Sequence, residues 1–298
     1  MEQNSNKNTE NKNNNTENNN SNTENNNNNN KVGNDQGLRF IGIIPARYAS
    51  TRFPGKPLAM LGGKPVIQHV YEKVAAVLEE AYVATDDERI YQAVEAFGGK
   101  AVMTRKDHKS GTDRIEEAIE KIGGEWDVVV NVQGDEPFVA KSQLETICHC
   151  FDDPTTEIAT LGKAFTSMQA VENPNSPKIA VSNQGFALYF SRSVIPYVRG
   201  KEREEWLQHF PYLKHLGIYA YRKQVLREIT QLPQSSLEIA ESLEQLRWLQ
   251  TDTRLRWEPP TWRPWESTHQ KTSKEQRNSS SNHSIKISEE RKDFNRTG

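Results

Sequence analysis

Short apolar runs and helically spaced segments alternate along the first half of the chain. Phe40 to Ile44 is apolar and rich in β-branched residues, as a strand buried on both faces of a parallel sheet should be, and Pro45 marks its end. Pro65 to Leu78 spaces its apolar residues helically behind a proline in the first turn, which predicts a crossover helix. Ala81 to Ala84 reads as a second strand. Thr85-Asp-Asp-Glu88 reads as a helix start with Thr85 as the cap and Glu88 three positions on, and that helix runs through Phe97 to a stop at Gly98-Gly99. Trp126 to Val132 is a further buried strand. This rhythm belongs to an α/β fold with a mixed, mostly parallel sheet and helices on both faces.

The pattern changes after about residue 155. Glu157–Phe165, Lys178–Asn183, Ala187–Phe190 and Leu216–Tyr221 read as short strands parted by turns such as Asn173-Pro-Asn175 and Asn183-Gln-Gly185, which predicts a smaller antiparallel subdomain. The ends differ from both halves. Residues 1–36 are dominated by Asn, with too few apolar groups to offset the entropy of ordering them, and read as a disordered tail. Residues 251–298 carry three Trp within nine positions beside three Pro, then Ser-, Asn- and Lys-rich chain, and fit neither period. The organisation expected is a tail over 1–36, one domain over 37–250 with halves 37–155 and 156–250, and a second tail over 251–298.

Composition narrows the function classes. The formal net charge is −2, which gives no reason to expect nucleic acid or an anionic membrane as partner. No apolar run approaches the length of about 18 residues that spans a bilayer, and the first segment lacks the apolar core of a secretory signal, so a cytoplasmic location is expected. Cys148 and Cys150 are the only cysteines. In Ile147-Cys-His-Cys-Phe151 they sit too close for a four-ligand zinc site without further ligands, and helix packing in a reduced compartment is the expected role.

Three loops carry candidate chemistry. The stretch from Ile41 to Pro57 places Arg47, Arg52 and Lys56 within ten residues, with Ser50, Thr51 and Gly55 among them. Cations, hydroxyls and backbone N–H groups then converge beyond the carboxyl end of a strand, where open α/β sheets bind ligands. A solvated surface loop is the other reading; neither the Walker loop nor Gly-x-Gly-x-x-Gly is present. In the second loop, Ser110-Gly-Thr-Asp serves as a helix start behind Arg105, Asp107 and His108, or as nothing more than a capped connection. The third is Gln133-Gly-Asp-Glu-Pro137, where two adjacent carboxylates at the end of a buried strand are costly without a cation. Mg²⁺ takes one or two carboxylates and completes its shell with phosphate oxygens and water, so Asp135 facing the cationic loop gives one metal ligand opposite one triphosphate. A plain turn is the alternative.

Pro45-Ala-Arg-Tyr-Ala-Ser-Thr-Arg-Phe-Pro-Gly-Lys-Pro-Leu58 resembles the signature of the sugar nucleotidyltransferases, in a form close to that of the 3-deoxy-manno-octulosonate (Kdo) cytidylyltransferases of lipopolysaccharide assembly. Five blocks in the expected order, from about Phe40 to Gln250, share the resemblance. It implies a nucleotidyltransferase-type fold, usually a homodimer, that joins CTP and Kdo into CMP-Kdo and pyrophosphate. It implies that Arg47, Ser50, Arg52, Lys56 and Gln133 hold the nucleotide, that Arg105 and the Ser110-Gly111 backbone read the cytosine, and that Asp135 binds Mg²⁺. Tyr189-Phe-Ser-Arg192, Lys214 to Arg222 and Leu237 to Arg247 also look like family blocks. From them Arg192, His215, Tyr219 and Gln245 supply the fork donor and neutral hydrogen bonders that a carboxylated, polyhydroxylated sugar needs.

The expected reaction is in-line attack of the anomeric hydroxyl of Kdo on the α-phosphorus of CTP, with Arg47, Lys56 and Asp135 as the catalytic set, no covalent enzyme intermediate and no assigned general base. A sialic acid cytidylyltransferase is the alternative within the class, although Tyr189–Arg192 and Leu243–Arg247 favour Kdo. A CTP-binding but catalytically impaired form is the alternative outside it, and the C-terminus is its motive. Family members continue after the helix ending near Gln250 with a strand and a Gly-Ile/Val-Asp-Thr-Pro-Glu-Asp-Leu block whose first Asp is a second Mg²⁺ ligand. Neither reads from residue 251 onward. Back-translation one frame away permits Asn-Gly-Tyr after Gln250 and the whole missing block between Trp265 and Ser273. The expectation is therefore a frameshift, one A lost from an A-run at the Gln250 codon, in a chain that lacks the second metal carboxylate and the closing strand.

Overall fold

The apolar run at residue 40 becomes β1 (Phe40–Ala46), buried along its whole length because both faces of the strand are covered. The computed structural model describes Lys31 and residues 37–49 and 54–259, which fall in one compact unit. The rest of the Asn-rich segment and the chain beyond Pro259 lie outside the described residues. After β1 come β2 (Met60–Leu61), β3 (Lys64–Pro65), α1 (Val66–Ala75), β4 (Glu80–Thr85), α2 (Glu88–Ala96), β5 (Ala101–Met103), α3 (Gly111–Ile122), β6 (Val128–Asn131) and α4 (Lys141–His149). The second half adds β7 (Ile158–Ala164), α5 (Met168–Glu172), β8 (Lys178–Val181), β9 (Ala187–Ser191), α6 (Trp206–His209), β10 (Leu213–Arg222), α7 (Lys223–Thr230), α8 (Ser236–Glu241), α9 (Gln245–Gln250) and β11 (Leu255–Glu258).

β2 and β3 form a small hairpin of their own, and the main sheet runs β11-β7-β10-β6-β1-β4-β5. β1 lies between β4 and β6 and is parallel to both, so its carboxyl end opens where two parallel neighbours also end. β10 enters antiparallel between β6 and β7, and β8 and β9 extend from it. The sheet is mixed, as expected. Its antiparallel part continues the same sheet, because β10 hydrogen-bonds directly to the central β6. Gly217, at φ +73°, stands where the register of β10 shifts between His215 and Tyr219; this left-handed conformation is one that L side chains avoid.

Helices cover both faces. Ile67 and Val70 of α1, Ile90 and Val94 of α2, and Leu144 and Ile147 of α4 pack on one side with Ile44 and Val130. Ile115 and Ile119 of α3, Leu226 and Ile229 of α7, and Leu246 and Trp248 of α9 pack on the other with Ile43 and Val129. Cys148 and Cys150 are buried free thiols, pushed well up by that burial.

Three local expectations need correction. Pro45 does not end β1, which continues through Pro45 and Ala46 opposite Ala84 and Thr85 of β4. The pairing with β6 stops at Ile43–Asn131, so the missing proline N–H falls where no second ladder requires it. The cap of α2 is Asp87, which accepts from Arg89 N, while the Thr85 hydroxyl accepts from Asp87 N at 3.2 Å. Residues 251–259 are also more than a patternless tail, and the expectation that no strand follows Gln250 is overturned, since Leu255–Glu258 form β11, parallel to β7 at the sheet edge. Alternation of Leu255 and Trp257 with Arg256 and Glu258 was the signal, obscured by the Trp- and Pro-rich composition around it.

Candidate active site

The loop leaving β1 is drawn back by Gly55, whose N–H donates to Tyr48 O at 2.8 Å. A 3₁₀ turn at Lys56–Leu58 follows, anchored by the buried Pro57. The Tyr48 ring carries the Arg89 guanidinium 3.3 Å from its centroid, which ties this loop to α2. The turn sets Lys56 Nζ 2.8 Å from Asp135 Oδ2, with the two side chains 39% and 47% exposed. Arg47 is exposed on the same loop. Ser50 and Arg52 lie outside the described residues.

Asp135 reaches that position because Gly134 fits against the end of β1. Its N–H donates to Pro45 O at 3.3 Å, and a Cβ at residue 134 would come within 2.9 Å of that oxygen and 3.1 Å of Ile67 Cδ1. Only glycine allows this approach. Gln133 sits one step earlier, its Nε2 donating to Asn131 Oδ1 at 3.3 Å. Among the described residues no group of three or more His, Cys, Asp or Glu is arranged to hold a metal ion. The donor set is instead one half-exposed carboxylate already facing a cation. That suits a hard ion arriving with phosphate oxygens and water better than one caged by protein.

The second loop joins the first through α3. Gly111 opens the helix against Pro45, the nearest atom to a Cβ placed there being Pro45 Cγ at 3.8 Å. Ser110 caps α3 in a capping box with Asp113, which fixes this helix start beside the carboxyl end of β1. Arg105 is held by Glu117. The Glu117 carboxylate accepts from Arg105 N at 3.2 Å, from Arg105 Nε at 3.1 Å and from Lys121 Nζ at 2.7 Å, and it also contacts His108 Nε2. Burial pushes the Glu117 carboxyl up, but hydrogen bonds from Lys121, from the Arg105 backbone and side chain and from His108 outweigh it and hold it at about 2. Arg114, fully buried on the same helix, donates to Asp86 Oδ2 at 2.8 Å and to Thr104 Oγ1.

The sugar-half residues meet this assembly at the β6–β10 ladder, where Tyr219 stands opposite Asn131. Tyr219 is packed by His215, Tyr221 and Trp248 at ring distances of 5.2, 5.9 and 5.3 Å. Its buried hydroxyl and the buried Nε2 of Gln245 have no protein hydrogen-bond partner among the described residues. Unpaired buried polar atoms of this kind are expensive and call for an explanation, a ligand being one. Glu244 accepts from Thr112 Oγ1 at 2.9 Å, which fastens the start of α9 to the start of α3. Burial raises the Glu244 carboxyl against the hydrogen bonds from Thr112 and Ser110.

Two expected sugar-binding residues sit differently. His215 is buried between Phe190 and Tyr219, 3.0 Å from Thr160 Oγ1, and burial lowers its pKa to about 3, so it is neutral. Arg192 does not present an open fork. Its Nε, Nη1 and Nη2 donate to the carbonyls of Glu241, Pro174 and Ser242 at 2.6, 3.0 and 3.2 Å. The type of side chain suggested a carboxylate partner, but the fold spends it on tying β9 to the end of α8. Glu117, Arg114 and Glu244 were not singled out from sequence, and the spacing of Arg114 and Glu117 one helical turn apart was the only local signal.

A cytidylyltransferase family model matches residues 41–255. A 3-deoxy-manno-octulosonate cytidylyltransferase of Bacteroides thetaiotaomicron is 64% identical over 222 residues, 74% of this chain and 89% of that protein. One from Escherichia coli is 51% identical over 217 residues, 72% of this chain and 85% of that protein. A solved CMP:2-keto-3-deoxy-manno-octonic acid synthetase complexed with CTP superposes with a TM-score of 0.68 at 48% identity, covering 74% of this chain and 89% of that one.

Proposed function

The chain belongs to the 3-deoxy-manno-octulosonate cytidylyltransferase family, and from that premise we propose how its residues share the work. The enzyme joins CTP and Kdo to give CMP-Kdo and pyrophosphate. The observation that carries our assignment of the reacting centre is the Lys56–Asp135 pair, 2.8 Å apart at the carboxyl ends of β1 and β6. A cation and a carboxylate from opposite loops converge there.

In this reading the anomeric hydroxyl of Kdo attacks the α-phosphorus in line and gives up its proton to solvent, the new P–O bond forms as the bond to pyrophosphate breaks, and no residue is cytidylylated. Lys56 and Arg47 neutralise the phosphates, with Ser50 and Arg52 on the same loop and Gln133 at the end of β6. Asp135 would hold Mg²⁺, which when bound with the triphosphate spreads its negative charge. Arg105 and the Ser110–Gly111 backbone read cytosine. Tyr219 and Gln245 bind Kdo, supported by their unpaired buried polar atoms, and the neutral His215 keeps Tyr219 in place. Electrostatic positioning of this kind is the main catalytic resource in phosphoryl transfer.

We assign the enzyme to lipopolysaccharide assembly as a cytoplasmic homodimer. No helix among the described residues is long and apolar enough to cross a membrane, and Leu188 of β9 and Tyr197 of the loop that follows it are exposed at 62% and 72%, apolar surface that suits a second copy. Pyrophosphate release with CTP and either Kdo or sialic acid tests the function. Release with Kdo alone is expected, and release with sialic acid alone would overturn the assignment.

A further inference from the structure

We infer that Glu117 is a positioning residue for nucleobase selection, setting the separation between Arg105 and the Ser110–Gly111 backbone by binding the Arg105 loop to α3. The inference rests on the reading of Arg105 and Ser110–Gly111 as the cytosine-binding groups. The loop from Thr104 to Ser110 is pinned at both ends, Thr104 N donating to Thr85 O at 2.8 Å and Ser110 N to Asp113 Oδ2 at 3.1 Å. Between these anchors Glu117 receives Arg105 N, Arg105 Nε and the His108 ring, and Lys121 from its own helix. One carboxylate thus organises the middle of the loop.

The geometry is more specific than an anchor requires. Glu117 takes Arg105 through Nε at 3.1 Å, not through the terminal nitrogens. The guanidinium is therefore held from behind, and its side chain stays 68% exposed. Glu117 lies six residues after Gly111 on the same helix, so the two groups that would face opposite edges of a base are fixed to a single rigid element. Arg114, one turn before Glu117, holds the other side of the loop by donating to Thr104 Oγ1 and, at 3.4 Å, to Arg105 O. Removing the carboxylate frees the Arg105 side chain while Ser110–Gly111 stays where the capping box puts it, so base selection suffers along with affinity.

The test is a binding cycle on the full chain, using calorimetric dissociation constants for CTP and UTP and needing no turnover. Glu117→Gln keeps the shape but loses the charge, and is expected to weaken CTP binding about tenfold, the order of one charge-assisted hydrogen bond, and to shrink the preference for CTP over UTP. Arg105→Ala should do the same, and the double variant should lose little more than either single change, since both act through one guanidinium. Wild-type constants for Glu117→Gln beside a weakened Arg105→Ala would overturn the inference alone, as would full additivity in the double variant. Unchanged CTP and UTP binding in Arg105→Ala, or no CTP binding by the wild type, would overturn the cytosine reading and this inference with it. Should Glu117→Ala fail to fold, the Gln variant and its thermal midpoint still decide the matter.

Discussion

Lys56 Nζ and Asp135 Oδ2 lie 2.8 Å apart although 79 residues separate them in the chain. Each is about four-tenths exposed, so the pair adds little to stability, about 1 kcal/mol at most. Contacts between a cation and a triphosphate are stronger, about 1.5 to 3 kcal/mol each. Lys56→Ala should therefore lower kcat/KM for CTP by about tenfold or more and leave the thermal midpoint nearly unchanged. Unaltered CTP turnover would remove Lys56 from the phosphate site.

Asp135→Asn keeps the size of the side chain and removes its charge. Turnover should be lost at every Mg²⁺ concentration while the circular dichroism spectrum stays native. Normal activity with normal dependence on Mg²⁺ would show that Asp135 is not a ligand.

Arg192 and Tyr219 should separate structure from binding. Arg192→Ala breaks three hydrogen bonds to carbonyls and should destabilise the fold by about 1 to 3 kcal/mol, with a change in the KM for Kdo of less than about threefold. Tyr219→Phe and Gln245→Ala remove buried polar atoms that have no protein partner among the described residues and should raise the KM for Kdo with less effect on stability. The opposite pattern would place Arg192 on the substrate.

Stability should fall with acid in two windows. Burial lowers the pKa of His215 to about 3 from its ordinary 6.5. The unfolded chain takes up that proton first, so stability present above pH 6.5 is lost as pH falls towards 3. Glu117, held at about 2 against an ordinary 4.5 because its hydrogen bonds outweigh its burial, contributes stability that is present above pH 4.5 and lost between there and 2. Each is worth about 3 to 5 kcal/mol at the limit. Urea denaturation at pH 7, 5.5 and 4.5 should show a flatter dependence in His215→Gln than in the wild type. An identical slope would mean that His215 takes up its proton at the same pH in the folded and unfolded chain.

The C-terminus gives a genetic prediction. The family match runs to residue 255 and β11 closes the sheet edge on β7, whereas the Asp-containing block is absent from the sequence as written and the positions it would occupy lie outside the described residues. One A inserted at the Gln250 codon should raise CMP-Kdo formation by supplying the second metal carboxylate. A gene confirmed as CAAAC, with full activity from the chain as written, would defeat the frameshift.

Much of this protein is determined by local sequence. Phe40 to Ile44 can only be a buried strand, Ser110-Gly-Thr-Asp can cap a helix wherever it lies, and the placement of Arg47 and Lys56 beyond a strand end follows from chain order alone. These depend on neighbouring residues, whose steric and hydrogen-bonding preferences act before any long-range contact forms. Tertiary structure decided the partners. Arg192 carries the same fork whether it meets a carboxylate or three carbonyls, and only the meeting of β9 with α8 selects between them. Glu117 becomes a hub because α3 lies against the Arg105 loop. Leu255–Glu258 becomes a strand because the edge of β7 supplies backbone hydrogen bonds that its composition does not announce. Such outcomes depend on groups distant in sequence, and no local pattern encodes which group will arrive.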